Sequence, residues 1–290
     1  MKILLACDGS DHSEAAIEET LRSPWPEPCS FQILSVVDTS FSPPPTVTRM
    51  VASAQTVVDR AVEQFKERLP ATATVTGTVS QGNPKSEILQ CAERWPADML
   101  IVGSRGLRGI KKVVMGAVSH SLVVAASCSV RVVRRHKPEK EGEMRVFLAL
   151  DDSPFSDHVV ERIASRPWKE GTKILCATAV PTLVEYMNEA QDTHEIQALE
   201  TFRNKQVTDA QTHLKQVCEL LTTKLPQASV SFDILQGDPR DVVVDGAKQW
   251  NADLIVSGCK GKGWVDRVLI GSVSEAIAER SECSVEVIKR

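Results

Sequence analysis

The sequence predicts an α/β protein built from two tandem, doubly wound, five-stranded parallel-sheet domains. Two observations predict it. The chain is one unit written twice, and each copy alternates short apolar runs with amphipathic helical segments. Gly82-Asn83-Pro84 returns as Gly237-Asp238-Pro239, and Trp95 returns as Trp250. Gly103, Gly106 and Gly116 return as Gly258, Gly261 and Gly271, and Cys128-Ser129-Val130 returns as Cys283-Ser284-Val285, all at one offset of 155 residues. Near the start of each copy the offset is 143, matching Asp8 to Asp151, Ser10 to Ser153 and Pro24-Trp25 to Pro167-Trp168. The second copy therefore carries about a dozen extra residues, which the pattern places within 181–212. Two long copies are tandem domains rather than a solenoid. Their expected bounds are 1–135 and 144–290, joined by a charged linker at 136–143 that holds Pro138 and Gly142 and has no apolar face.

Within the first copy, Ile3 to Cys7 is a short apolar run ending in Asp8-Gly9-Ser10, followed by a helical stretch from Ser13 to Leu21. Phe31 to Val37 is a second strand, and Val47 to Leu69 is a long amphipathic helix. Val75 to Val79 alternates as a strand does, and Pro84 to Trp95 is a helix with proline in its first turn. Met99 to Val102 is a buried strand, Gly116 to Ala126 is helical, and Val130 to Val133 closes the copy. Continuous apolar strands joined by helices indicate a parallel sheet covered on both faces.

Composition excludes several classes. The 290 residues are 42% apolar and 25% charged, an ordinary globular balance. A net charge of -4 and a pI near 5.9 argue against nucleic acid as a partner and against an anionic membrane. The apolar run before Cys7 is too short for the core of a signal peptide and reads as a buried first strand. The eight cysteines form no CxxC pair and no zinc-spaced cluster, so they read as reduced, buried thiols of a cytoplasmic protein. The histidines show no metal spacing and read as surface residues, and no metal site or catalytic triad stands out.

The glycine loop is the informative site. In the second copy the strand Asp253 to Val256 runs into Ser257-Gly258-Cys259-Lys260-Gly261, and Gly271-Ser272-Val273-Ser274 opens a helix, giving G-x2-G-x9-G-S. Glycines at a strand's carboxyl end let backbone amides approach an anion. The helix start after Gly271 adds free N–H donors and a favourable dipole. Three or four charge-assisted hydrogen bonds at about 1.5–3 kcal/mol each reach the ~8 kcal/mol of micromolar binding before ordering costs. The loop is not a Walker A loop, because Trp264 stands where that motif needs lysine. In the first copy Ala117 replaces the serine, and Ser119 is the candidate substitute hydroxyl. Arg105, Arg108, Lys111 and Lys112, and in the second copy Lys260, Lys262 and Arg267, read either as anion-facing charges or as a solvated surface.

Taken together, the Asp-x-Ser opening (Asp8-Gly9-Ser10, Asp151-Asp152-Ser153), the Gly-Asn/Asp-Pro turn and the G-x2-G-x9-G-S loop resemble the universal stress protein family, in its ATP-binding branch. The resemblance covers both copies. It implies a Rossmann-like fold of the adenine-nucleotide alpha-hydrolase type, with ATP, alone or with Mg2+, across the strand ends of each copy. By that resemblance Asp8 and Asp151 sit at the adenine and ribose side, beside Ala6 and Ala149. Val36 and Ala177 line the adenine pocket. Gly103, Gly106 and Gly116, and Gly258, Gly261 and Gly271, carry ribose and phosphates. Ala117, Val118, Ser272 and Val273 follow the last glycines, with Ser272 at the distal phosphates. The last strands of the two copies are expected to pair antiparallel, so that one chain mimics a two-chain dimer; a further homodimer stays open.

The aspartates also have a local reading, since a carboxylate after a strand often caps the next helix, although Ser10 and Ser153 are better placed for that task. The function expected is that of a nucleotide-binding stress-response regulator acting through nucleotide-dependent conformation or partner choice. The alternatives are a ligand-free dimerising interaction protein of the same fold, which Ala117 favours, and a slow ATP hydrolase.

Overall fold

The computed structural model describes residues 1–40, 43–106, 115–135, 143–182, 193–260 and 270–289. The first copy contributes β1 (Lys2–Ala6), α1 (Asp11–Arg22), β2 (Ser30–Val37), α2 (Pro44–Arg68), β3 (Thr74–Gln81), α3 (Pro84–Arg94), β4 (Met99–Gly103), α4 (Ala117–Ala125) and β5 (Ser129–Val133). The second contributes β6 (Arg145–Ala149), α5 (Pro154–Ala164), β7 (Lys173–Val180), α6 (Thr193–Lys224) and β8 (Ser229–Gln236). It continues with α7 (Pro239–Gln249), β9 (Leu254–Gly258), α8 (Ser272–Arg280) and β10 (Ser284–Ile288). By spatial clustering the chain forms two compact units, Met1–His136 with Ala278–Arg290, and Lys137–Ile277.

In the first unit the parallel strands lie in the order β3-β2-β1-β4-β5. β1, β4 and β5 are buried almost throughout, which explains their unbroken apolar sequences. The outer strand β3 carries Thr, Ser and Gln and is largely exposed. Helices α1 and α2 cover one face, and α3 and α4 the other. Under α1 and α2, Ile3, Leu5, Ile17, Phe31, Phe65 and Ile101 form one core. Phe31 packs edge-on against both Trp25 and Phe65.

Helix starts follow local chemistry. Ser10 caps α1 by accepting the Ser13 N–H, and Asn83 caps α3 by accepting from Lys85 and Ser86. α2 begins three residues before the expected Val47 because Pro44 and Pro45 suit a helix's first turn.

The second unit repeats the plan with β8-β7-β6-β9 in parallel. α5 and α6 pack on one face and α7 on the other. Ser153 caps α5, and Asp238 caps α7. α6 has 32 residues against 25 in its counterpart α2, so part of the extra segment lengthens this helix. Residues 183–192, within the expected insertion, lie outside the described residues, as do residues 136–142 of the expected linker.

β10 lies in the first unit and pairs antiparallel with β5, with Val132 opposite Val285, Arg131 opposite Glu286 and Val130 opposite Val287. An antiparallel partner satisfies the backbone of an otherwise open sheet edge. Arg131 and Glu286 are 1% and 0% exposed. The Arg131 Nε and Nη2 donate to Glu286 Oε2 at 3.0 and 2.6 Å, Nη1 donates to Ser23 Oγ at 2.6 Å, and the guanidinium sits 4.9 Å over the Trp25 ring. Arg134, also buried, donates to the carbonyls of Cys283 and Ala278. Burial holds its guanidinium down to about 10.

All eight cysteines are free thiols, and seven are buried; Cys218 is half-buried. Burial, chiefly, pushes the Cys7 thiol up to about 12. Among the described residues no helix is long and apolar enough to cross a membrane.

Gly77 on β3 tests the packing. A Cβ there would lie 2.4 Å from Val58 Cγ1 and 2.9 Å from Val62 Cγ2. Gly77→Ala should lower the unfolding free energy in urea by about 1–3 kcal/mol, the usual cost of overpacking. A second outcome is expected from burial: on brief alkylation at pH 8, peptide mapping should find Cys218 modified before the other seven.

Candidate functional site

The chain leaves β1 through α1 towards β2 on one side, and returns to β4 on the other. The carboxyl ends of β1 and β4 therefore form the switch point at which open α/β sheets carry ligands. Ala6 ends β1, and Asp8 follows after Cys7. Gly9 has φ +76°, a left-handed turn that favours glycine. Asp8 Oδ1 accepts the Ser10 N–H at 3.0 Å. Across the switch point, a Cβ on Gly106 would stand 2.7 Å from Asp8 Oδ2, so a larger residue there would displace the carboxylate. Gly103 is held tighter still: its Cβ would meet the His12 carbonyl oxygen at 2.6 Å.

Gly116 then opens α4. Its N–H donates to the Ser104 carbonyl at 2.7 Å, and among the described residues no side chain caps the helix. Ala117 is exposed and Val118 half-buried at this start. Ser119 does not replace the missing hydroxyl. It is buried, and its Oγ donates to the Gly103 carbonyl at 2.8 Å, tying α4 to the end of β4. In the second copy Ser274 Oγ does the same to Gly258 at 2.5 Å, which leaves the exposed Ser272 hydroxyl as the one at the helix start. Val273 is half-buried, like Val118.

The second switch point, between β6 and β9, differs in chemistry. Asp151 Oδ1 accepts from the Ser153 N–H at 3.1 Å, Ser153 Oγ at 2.5 Å and Ser156 Oγ at 2.7 Å. Asp151 is thus tied into the start of α5, while the serine itself makes the helix cap. Ala149 is half-buried at the end of β6. A Cβ on Gly258 would lie 3.2 Å from Phe155 Cβ, and Gly271 N–H donates to the Cys259 carbonyl at 2.7 Å. Lys260 Nζ sits 5.9 Å over the Phe155 ring. Gly261, Lys262 and Arg267, and Arg108, Lys111 and Lys112 of the first loop, lie outside the described residues.

Strand register places Val36 and Ala177 at different depths of their sheets. Val36 pairs with Ser80, and Ala179 pairs with Leu235, the repeat equivalent of Ser80. Ala179, half-buried, is therefore the counterpart of Val36, whereas Ala177 is 0% exposed and lies opposite Ala149. A cavity of about 500 Å³ opens at the carboxyl ends of β2 and β3, lined by Thr39, Pro44, Val47, Thr48, Val51 and Gln81.

Two residues escaped the sequence reading. His12, expected on the surface, is half-buried with Nδ1 3.2 Å from Ser104 Oγ. Burial first, then the charges of Arg105 and Arg135, hold its imidazole below the ordinary 6.5, with Asp11 and Asp8 acting the other way. Ser257 is 3% exposed at the carboxyl end of β9, opposite Ala149, and its hydroxyl has no hydrogen-bond partner among the described residues. The signal was available: serine and valine differ at one position, Ser257 and Val102, within an otherwise apolar repeat.

A doubly wound parallel sheet, written twice, with a glycine turn and a helix start at each switch point, defines a class of tandem α/β proteins. The particular family follows from comparison: the chain belongs to the universal stress protein family, whose model matches residues 1–134 and again 144–289. It is similar to universal stress protein YxiE of Bacillus subtilis strain 168, with 28% identity over 145 residues, 46% of this chain and 98% of that protein. Among solved structures, a universal stress protein from Archaeoglobus fulgidus DSM 4304 superposes with a TM-score of 0.69 at 21% identity, covering 100% of this chain and 96% of that one. A functionally unknown protein from Pseudomonas aeruginosa PAO1 gives 0.61 at 13% identity, covering 99% and 92%. Likeness at these identities establishes the fold.

The His12 environment sets a sign for pH. The folded state holds the imidazole below its unfolded value, so the unfolded chain binds more protons between the two. Stability from this residue is complete above pH 6.5 and is lost as pH falls through the lower folded value. Urea midpoints between pH 7.5 and pH 5 should fall further for the wild type than for His12→Asn.

Proposed function

We propose that this universal stress protein binds adenine nucleotide, ATP alone or with Mg2+, at the two switch points, and that occupancy changes its conformation or its choice of partner. The observation that carries the reading is the start of α4. Gly116 presents a helix N-terminus that no side chain caps among the described residues, next to the Ser104–Gly106 turn and the Asp8 carboxylate. Amide donors on one side and a carboxylate on the other suit a polyphosphate and a ribose hydroxyl respectively. In the second copy, the buried Ser257 hydroxyl, which has no hydrogen-bond partner among the described residues, adds a polar group of the kind a bound molecule satisfies.

The residues fit such a ligand unequally. Ser272 offers a hydroxyl where Ala117 offers none, whereas Asp8 is less tied to its own helix than Asp151. A second reading, a ligand-free interaction protein, draws on Ala117 and on the capping role of Asp151.

Denaturing the purified protein should release adenine nucleotide, and calorimetry on stripped protein should show ATP binding. Absence of both rejects the proposal in favour of the second reading. Ala117→Ser should tighten ATP binding at the first site by about fivefold, the worth of one added hydrogen bond. Ser272→Ala should weaken ATP binding more than AMP binding; equal losses would place the phosphates elsewhere.

A further inference from the structure

Residues 131 and 286 occupy the same position of the duplicated unit, at the offset of 155 that relates the two copies. They also face each other across β5 and β10. The flanking pairs cross over in the same way: Val132 faces Val285, the equivalent of Val130, and Val130 faces Val287, the equivalent of Val132. The register is therefore symmetric about the Arg131–Glu286 pair. Two like edges meeting in this register would bring each residue against itself, Arg131 on Arg131 or Glu286 on Glu286.

We infer that this pair selects the partner which the first copy's last strand accepts: an edge strand with a carboxylate at the centre of the register, and not a second β5. The position is 1% exposed on one strand and 0% on the other, so water does not screen a like-charge encounter there. The surroundings of Arg131 suit a cation. It lies over Trp25, donates to Ser23 and has Glu19 Oε1 at 3.7 Å. An acidic residue at 131 would face the Glu19 carboxylate instead.

The second copy changes these positions together. The repeat equivalents of Glu19 and Ser23 are Arg162 and Arg166, and the equivalent of Arg131 is Glu286. Trp25 is unchanged as Trp168. Two charge reversals together with one added cation, at three related positions, are what a selector needs, because each edge then rejects itself and accepts the other. An arbitrary buried ion pair has no reason to change three positions of one repeat in concert. In a single chain the accepted edge is always present at high effective concentration.

The test uses the full chain. Glu286→Arg and Arg131→Glu each place like charges at the centre of the register. Each variant should lose about 100-fold or more in the folding equilibrium of the first unit, measured in urea, as expected when one member of a buried pair is removed. Mixed in equal amounts, the two variants should form a one-to-one heterodimer in native mass spectrometry, because Arg131 of one chain finds Glu286 of the other. The neutral double variant R131M/E286M should stay folded, since apolar replacement of a buried pair is tolerated. It should self-associate with rising concentration beyond the wild type, having lost the like-edge repulsion. A Glu286→Arg protein that unfolds at the wild-type urea midpoint would overturn the inference. So would a mixture that gives no heterodimer, or an R131M/E286M protein with the wild-type oligomeric state at every concentration. If the charged variants precipitate, R131M/E286M decides alone.

Discussion

Close approach of main chain to main chain, at the carboxyl end of the central strands, is the constraint on which the rest of each site depends. Gly103 has no room for a Cβ because the His12 carbonyl lies where that atom would be. This proximity brings the start of α1 against the end of β4. The Ser119 hydroxyl then pins the start of α4 to the same Gly103 carbonyl. Three segments far apart in sequence converge on one glycine, and the Ser104–Gly106 turn is placed between them. In the second copy Gly258, Phe155 and Ser274 make the corresponding junction. Ser119, the hydroxyl that could substitute for the missing serine, is thus part of the frame. Ala117 and Ser272 hold the first helical position and stay exposed.

The duplication kept this frame and changed what surrounds it. His12, Ser104 and Arg105 in the first copy correspond to Phe155, Cys259 and Lys260 in the second. A polar pair joined at 3.2 Å has been exchanged for an aromatic ring under a lysine. Val102 and Ala117 have become Ser257 and Ser272. The first site therefore concentrates its polar groups on the α1 side, and the second on the end of β9 and the start of α8. Two sites of one fold, differing at each of these positions, are chemically distinct surfaces. A single chain gains that freedom because its two copies mutate independently, which two identical subunits cannot do.

Much of the architecture was legible in the sequence because it depends on local pattern. Apolar runs such as Leu100 to Val102 must be buried on both faces, and parallel strands need the helical crossovers that the periodicity of α1 to α4 supplies. Ser10 and Ser153 announced helix starts through short-range hydrogen bonding, and each one caps its helix; Asn83 and Asp238, ahead of Pro84 and Pro239, do the same. The repeat offset identified the glycine turns before any fold was known. Strand register was less legible. Ala177 and Ala179 point to the same sheet face; the offset of 143 matches Val36 to Ala179, and pairing with β8 agrees, whereas the burial of Ala177 is set by the neighbouring strands.

What the sequence by itself determined is a pair of doubly wound α/β units with a glycine turn at each switch point, because burial, periodicity and capping act over a few residues. Tertiary structure alone decided three other matters. It gave Ser119 to the frame rather than to the helix start, drew His12 in from the surface, and put Arg131 on Glu286 where β10 meets β5. Each of these depends on groups that meet across more than a dozen residues of chain, where linear order places no limit on distance and only packing of the sheet does.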